Sequence, residues 1–259
     1  MTNKYNLPES FTLDRDPFVI PYQYKKTGVI ADLHIPYHNI LAINLMIDFF
    51  IKEKIDSLLI NGDLIDFYML SKYGHDPRKI GIKAELEITE NILDILQEHL
   101  KVKIFYKLGN HDERLEKYLI AKAPEIFGIR EFHLEILLKC GQRNIDVIDD
   151  KRRVMIGGLS VWHGHELNIK SAIVNPARTL YNKVFISSMI SHLHVPSQHN
   201  EKRGDKHIVG CWSTGHLGDE SPDYATVNKW ILGFSKVDHE EKEFEVSNYK
   251  IINGKVYRT

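Results

Sequence analysis

Aspartate, asparagine and histidine recur in this chain as close pairs at the ends of apolar runs. Asp32-Leu33-His34 closes "TGVIADLH", Asp63 and Asp66 close "LLINGDLID", and Asn110-His111-Asp112 follows the apolar run 102–108 and Gly109. His163 and His165 end "LSVWHGHE", and His192 and His194 lie in "ISHLHVP". Hard carboxylate oxygens, one amide oxygen and several imidazoles, without thiolates, suit divalent first-row ions such as Mn, Fe or Zn rather than a structural zinc site. The donors outnumber what one ion takes, which points to two. Two ions about 3.5–4 Å apart, bridged by a carboxylate, acidify a shared water into a nucleophile. Any one pair alone reads equally well as a helix cap or a turn. Five in order, each ending an apolar run, weigh against that.

The elements that must position these residues follow from periodicity. From Thr27 the chain reads as strand, helix, strand, helix, strand. The first helix carries Ile40, Ile43, Ile47, Phe50 and Ile51 at three- and four-residue spacing, with Asn39 as its cap. The second carries Leu86, Ile92, Leu93, Leu96 and Leu100. In an open α/β sheet the carboxyl ends of the strands form the ligand crevice, so the first three strands aim their polar tips at one place. Beyond the helix near Asp112 come short β-branched and aromatic runs, with hairpin signals at Gly157-Gly158 and Asn253-Gly254. No linker separates the halves. The expectation is an α/β fold with two sheets sharing one core over residues 25–259, preceded by an extended, proline-marked arm over 1–24.

Composition narrows the function classes. With 43% hydrophobic and 27% charged residues over 259, the chain is long enough for a sizeable core. A net charge of −1 gives no global pull on a polyanion, so a phosphate-bearing substrate needs a local positive site, which metal ions supply. Cys140 and Cys211 are too few for a disulfide framework and read as buried free thiols of a reducing compartment. Neither an export signal nor an apolar stretch of about 18 residues is evident, so a cytoplasmic location without a membrane partner is expected.

Together the pairs resemble the signature of the calcineurin-like metallophosphoesterases. They stand as Asp32-x-His34, Gly62-Asp63-x-x-Asp66, Gly109-Asn110-His111-Asp112, His163-Gly164 and Ser191-His192-x-His194, over residues from about 27 to 195. Two departures are Ser191, where the family usually has glycine, and the additional His165. The resemblance implies a four-layer α-β-β-α sandwich with two packed mixed β-sheets and two divalent ions, manganese first. One ion would take Asp32, His34, Asp63 and His194, the other Asp63, Asn110, His163 and His192, with Asp63 bridging. It implies that His111 stabilises the phosphoryl oxygens and protonates the leaving oxygen, with Asp66 orienting its ring. Attack on phosphorus would be in line, by a metal-bridging hydroxide. Asp112 is expected to cap the helix beginning at Glu113.

The substrate is less determined. The family's phosphoprotein phosphatases place arginines where this chain has Phe67 and Leu108, so the fork that grips a terminal phosphate is missing there. That favours a phosphodiester, either nucleic acid or a small nucleotide. A phosphomonoesterase is the alternative and needs a cation from elsewhere, such as Arg114. A catalytically silent metal-binding scaffold is the alternative of another class, against which His111 and every ligand are present. Lys151, Arg152 and Arg153, and Lys202, Arg203 and Lys206, could steer a nucleic-acid backbone or form solvated turns. Tyr68, Tyr73 and His75 could stack on a base or cover the site; Phe67 reads as core. His216 stands either near the ions or in an ordinary loop.

Overall fold

The computed structural model describes residues 4–8, 15–72, 76–169, 173–222 and 225–259. In chain order the strands are β1 (Phe18–Val19), β2 (Lys26–Ile30), β3 (Ser57–Asn61), β4 (Lys103–Lys107), β5 (Ile145–Ile148), β6 (Val154–Ile156) and β7 (Leu159–Val161). Then come β8 (Ser188–Ile190), β9 (Ser197–Lys202), β10 (Ile208–Ser213), β11 (Gly233–Glu240), β12 (Glu243–Ile252) and β13 (Lys255–Arg258). The helices are α1 (Ile40–Glu53), α2 (Ile82–Leu100), α3 (Arg114–Lys122), α4 (Leu134–Leu137) and α5 (Pro176–Val184).

Two-residue periodicity of the buried strands sets the layers. Val29, Leu59 and Phe105 face one way and join Val154, Ile156, Leu159, Val161, Met189 and Trp212 in the core between the sheets. Their neighbours Ile30, Leu58, Ile60, Ile104 and Tyr106 face the other way, against Met46 and Phe50 of α1 and Leu93 and Leu96 of α2. Gly28 lets that helix close in, since a Cβ there would stand 2.8 Å from the Phe50 ring. On the far side α5 packs Ala177 and Leu180 on Ile190, Val209 and Cys211. The result is helix, sheet, sheet, helix, the four-layer sandwich expected from the motifs. Both sheets are mixed, with orders β13-β12-β11-β2-β3-β4-β5 and β1-β6-β7-β8-β10-β9. Strands β2 to β5 are parallel, so the tips after β2, β3 and β4 emerge on one side.

Local signals held where the sequence placed them. Asn39 caps α1, its side chain accepting from the Ala42 N–H at 3.0 Å. Gly157 and the pair Asn253-Gly254 take positive φ in the β6–β7 and β12–β13 turns, as tight hairpins require. The proline-marked arm does not stay outside. Phe18 and Val19 pair in parallel with Val154 and Met155, and Ile20 is fully buried between the sheets. Cys140 and Cys211 are both buried and unpaired. Among the described residues no helix is long and apolar enough to cross a membrane.

Candidate metal centre

The tips of β2, β3 and β4 and the turns after β7 and β8 converge. Asp32, His34, Asp63, His192 and His194 all adopt left-handed backbone, with φ between 48° and 64°. Non-glycine residues reach that region at a cost and cluster there where a site requires it. Asp112 holds the Asp63 turn, and here the expectation of a helix cap is corrected. Glu113 occupies the N-cap of α3 without a side-chain capping bond. Asp112 is buried and turns away from the helix, accepting from the N–H groups of Asp63 at 2.8 Å, Leu64 at 3.1 Å, Ile65 at 3.2 Å and Gly109 at 2.7 Å. It ties the β3 tip to the β4 tip. Gly62 and Gly109 complete the approach: side chains there would run into His163 Nδ1 and Asp63 Oδ1.

Two ligand groups result, Asp32 with His34 and His194, and Asp63 with His163 and His192, and a third, His34 with Asp63 and His111, links them. His194 Nε2 lies 3.3 Å from both Asp32 Oδ1 and His34 Nε2, while His163 Nε2 lies 3.3 Å from Asp63 Oδ2 and 3.9 Å from Asp32 Oδ1. Asn110 follows directly on the β4 tip. The donor set fits ions: Asp32 Oδ1, Asn110 Oδ1 and His163 Nε2 are buried without a hydrogen-bond partner. Burying such atoms unpaired costs about 1–3 kcal/mol each, which a bound cation offsets. The outer contacts prepare the rings. His163 Nδ1–H donates to the Asn61 carbonyl at 2.7 Å, which aims Nε2 inward, and His34 Nδ1 meets Asp66 Oδ1 at 3.2 Å. Behind His163, Glu166 accepts from the N–H groups of His163 at 3.0 Å and Gly164 at 2.7 Å. It is paired at 3.1 Å with Lys107, a fully buried lysine.

The electrostatics ask for positive charge. Burial works against the Asp32 carboxylate, yet His194 and His163 hold it down to about 2. Asp63 is likewise held well below its ordinary range against burial, chiefly by His163 and His111. Burial would lower His163, but Asp63 and Asp32 overrule it and raise it to about 10. Burial, then repulsion from His163, brings His192 down to about 4, leaving a neutral ring suited to ligation.

His111 lies beside the ligands. Its backbone N–H donates to Asp63 Oδ1 at 2.8 Å, its Nδ1 meets Asp66 Oδ1 at 2.9 Å, and its Nε2 takes a contact from Arg114 at 3.1 Å. Arg114 also donates to the Asp66 carbonyl at 2.7 Å. Ser191, standing in place of glycine, is fully buried with its hydroxyl accepting from Asn61 Nδ2 at 2.8 Å. His165 is not in the ligand cluster; its ring centroid lies 5.3 Å from that of His163. His216 is near: its ring stacks on His194 at 4.8 Å with an 11° tilt. A cleft of about 160 Å³ opens beside His34 and His194, walled by Tyr37, Tyr68, Lys79 and Trp230. Tyr73 and His75 lie outside the described residues. Phe67 is core, fully buried.

Trp230, whose ring meets His194 edge-on at 4.4 Å, gave no motif signal, being a lone aromatic far along the chain. Lys107 and Glu166 were also missed, although a charged residue ending an otherwise apolar strand was a visible clue. Of the basic segments, 202–206 forms the β9–β10 turn, exposed and with Arg203 paired to Asp205. Since β9 starts just past His194 and runs six residues, that turn lies roughly 20 Å along the strand from the centre. Arg152 is engaged with the Asp16 carbonyl and the Phe18 ring.

No curated protein sequence matches the chain. Solved structures that resemble it include wild-type Vps29 complexed with Zn²⁺ from Entamoeba histolytica, at 15% identity and TM-score 0.47, covering 90% of this chain and 97% of that one. Vacuolar protein sorting 29 from Cryptosporidium parvum aligns at 14% and 0.49, covering 91% and 96%. The phosphoesterase YfcE from E. coli aligns at 13% and 0.44, covering 90% and 98%. At such values these likenesses carry no argument about activity. The family model for calcineurin-like phosphoesterases matches residues 25–239, spanning the strands and turns that build the centre, and the chain belongs to that family.

Proposed function

We propose that the protein is a two-ion phosphodiesterase acting on a small nucleotide-like diester. The observation that carries this reading is the pair of ligand groups linked through His34 and Asp63, with buried donor atoms left without a hydrogen-bond partner. Asp32, His34, Asp63 and His194 would hold one divalent ion and Asp63, Asn110, His163 and His192 the other. Manganese, iron and zinc all accept this set. When bound, the ions supply an acidified water and positive charge for the phosphoryl oxygens.

The chain's own residues do the rest. Asp66 holds the His111 ring by Nδ1, and Nε2, which faces the Arg114 guanidinium before substrate enters, is the atom that would pass a proton to the leaving oxygen once that contact is displaced. Phe67 points into the core, and Leu108 packs against it, so no guanidinium stands at either place to grip a terminal phosphate. Tyr37, Tyr68 and Trp230 offer aromatic faces and edges where an ester's organic group would lie. The distance of the 202–206 turn favours a small diester over a long nucleic acid. Two buried, unpaired cysteines suit a reducing, cytoplasmic setting.

One observation favours a second reading, a phosphomonoesterase: the Arg114 guanidinium stands against His111, near where a terminal phosphoryl oxygen would sit. The test strips the protein of metal, restores Mn²⁺, and compares bis-p-nitrophenyl phosphate with p-nitrophenyl phosphate, using His111→Ala and Asp63→Asn as controls. Faster cleavage of the diester, lost in both variants, supports the proposal. Preference for the monoester, abolished by Arg114→Ala, transfers support to the second reading. Inactivity toward both with metal bound favours a silent scaffold.

A further inference from the structure

A second cluster of ligand-type side chains lies next to the centre and is used by nothing described so far. Glu113 precedes α3, Asp150 follows β5, and His165 opens the turn after β7. Three elements distant in sequence bring one potential ligand atom each to within 4.8 Å of the others. His165 Nε2 stands 3.8 Å from Glu113 Oε2 and 3.7 Å from Asp150 Oδ2. Ligand atoms around a tetrahedral ion at about 2.0–2.2 Å are roughly 3.3–3.6 Å apart, so a contraction of a few tenths of an ångström brings the three to tetrahedral spacing and leaves the fourth position to water.

The second observation concerns Asp150. It is only 8% exposed, and Oδ2, the oxygen facing His165, is buried without a hydrogen-bond partner. Glu113 is equally buried, and desolvation with the facing Asp150 pushes its carboxyl up to about 7. Two crowded carboxylates out of water repel one another, and a shared proton, the Lys117 ammonium or a bound cation each relieves that repulsion. The surroundings prepare the imidazole as well. His165 Nδ1 lies 3.3 Å from Glu166 Oε2, which places a carboxylate behind the ring without a hydrogen bond between them, and Nε2 is the atom turned toward Glu113 and Asp150. Lys117 reaches Glu113 Oε2 from α3, but its side chain is 61% exposed and can withdraw to water. Lys107 is committed to Glu166 and the Asp150 carbonyl and does not face the two carboxylate oxygens.

We propose that Glu113, Asp150 and His165 form a third divalent-ion site, separate from the centre at Asp63, with two oxygens and one nitrogen suited to Zn²⁺. The ring of His165 lies 5.3 Å from that of His163 and 6.2 Å from that of His192, so the ion would sit beside the second ligand group. This site does not depend on the phosphodiesterase reading, because none of its ligands belongs to that centre.

The test is anomalous diffraction at the zinc edge from Zn²⁺-soaked crystals of the wild type, Asp150→Asn, His165→Gln and Lys117→Met. The expected result is a peak among Glu113, Asp150 and His165 in the wild type, lost in the first two variants while peaks near Asp63 persist. In Lys117→Met the peak should fill at severalfold lower Zn²⁺, since the competing ammonium is gone. Thermal melts of each variant establish that it is folded. No peak there in either the wild type or Lys117→Met, at Zn²⁺ sufficient to fill the Asp63 centre, overturns the proposal. A peak that survives both Asp150→Asn and His165→Gln also overturns it. A peak there with none near Asp63 would sustain this site and defeat the two-ion reading instead.

Discussion

Asp112→Asn is the change that most directly probes how the chain holds its strained tips. Oδ2 accepts from the Asp63 and Gly109 N–H groups, and Oδ1 from those of Leu64 and Ile65. An amide has one oxygen, so whichever way it turns, its NH₂ meets two backbone donors and two hydrogen bonds are lost. Bonds to a charged acceptor contribute about 1.5–3 kcal/mol each, giving a loss of about 3–6 kcal/mol. For a chain of this size that lowers Tm by roughly 10 °C. Asp63 is one of the released residues and carries φ 51°, so Mn²⁺ affinity should fall with stability. Circular dichroism melts and calorimetric Mn²⁺ titration read both. A variant that melts within about 2 °C of wild type and binds Mn²⁺ unchanged would refute the claim that Asp112 holds the Asp63 turn.

Lys107→Met strands the buried Glu166 carboxylate and should cost about 3–5 kcal/mol, while Lys107→Met with Glu166→Gln recovers part of it; denaturant midpoints of the three proteins decide, and no recovery would count against the pair. Glu85 is fully buried, and burial followed by the nearby Asp66 raises its carboxyl from 4.5 to about 7. The folded protein therefore binds that proton more tightly than the unfolded chain, and the stability it contributes is full below pH 4.5 and lost as pH rises through 7. Glu85→Gln should flatten that fall and be the more stable protein at pH 8 by urea unfolding. Trp230→Ala removes a wall of the cleft and should raise KM for an aromatic diester about three- to tenfold with little change in kcat; an equal loss for a methyl ester would show that the ring supports His194 instead.

Much of the centre was legible because its donors sit in adjacent pairs at strand ends, where the order of the sheet converts sequence position into place. Asp32, Asp63 and Asn110 follow three neighbouring parallel strands, so periodicity alone brought them together. Asp112 was misread because its acceptor role depends on partners 47 to 49 positions earlier, while a carboxylate ahead of a helix has a nearer job on offer. Two- and three-residue patterns see only the near option. The cleft was illegible for a related reason: Trp230 and His216 reach His194 through a loop with no periodic signal, and stacking leaves no trace in spacing. Strand β1 failed as a sequence feature because two paired residues are too few to show alternation.

The central claim is that seven side chains from five separate turns hold two ions around Asp63. Anomalous difference density at the manganese edge, from crystals soaked in Mn²⁺, tests it directly. The account predicts two peaks about 3.5–4 Å apart, one among Asp32, His34, Asp63 and His194 and one among Asp63, Asn110, His163 and His192. Absence of density there under conditions where Mn²⁺ binds the protein in solution, or ions ligated only by other residues, would contradict it.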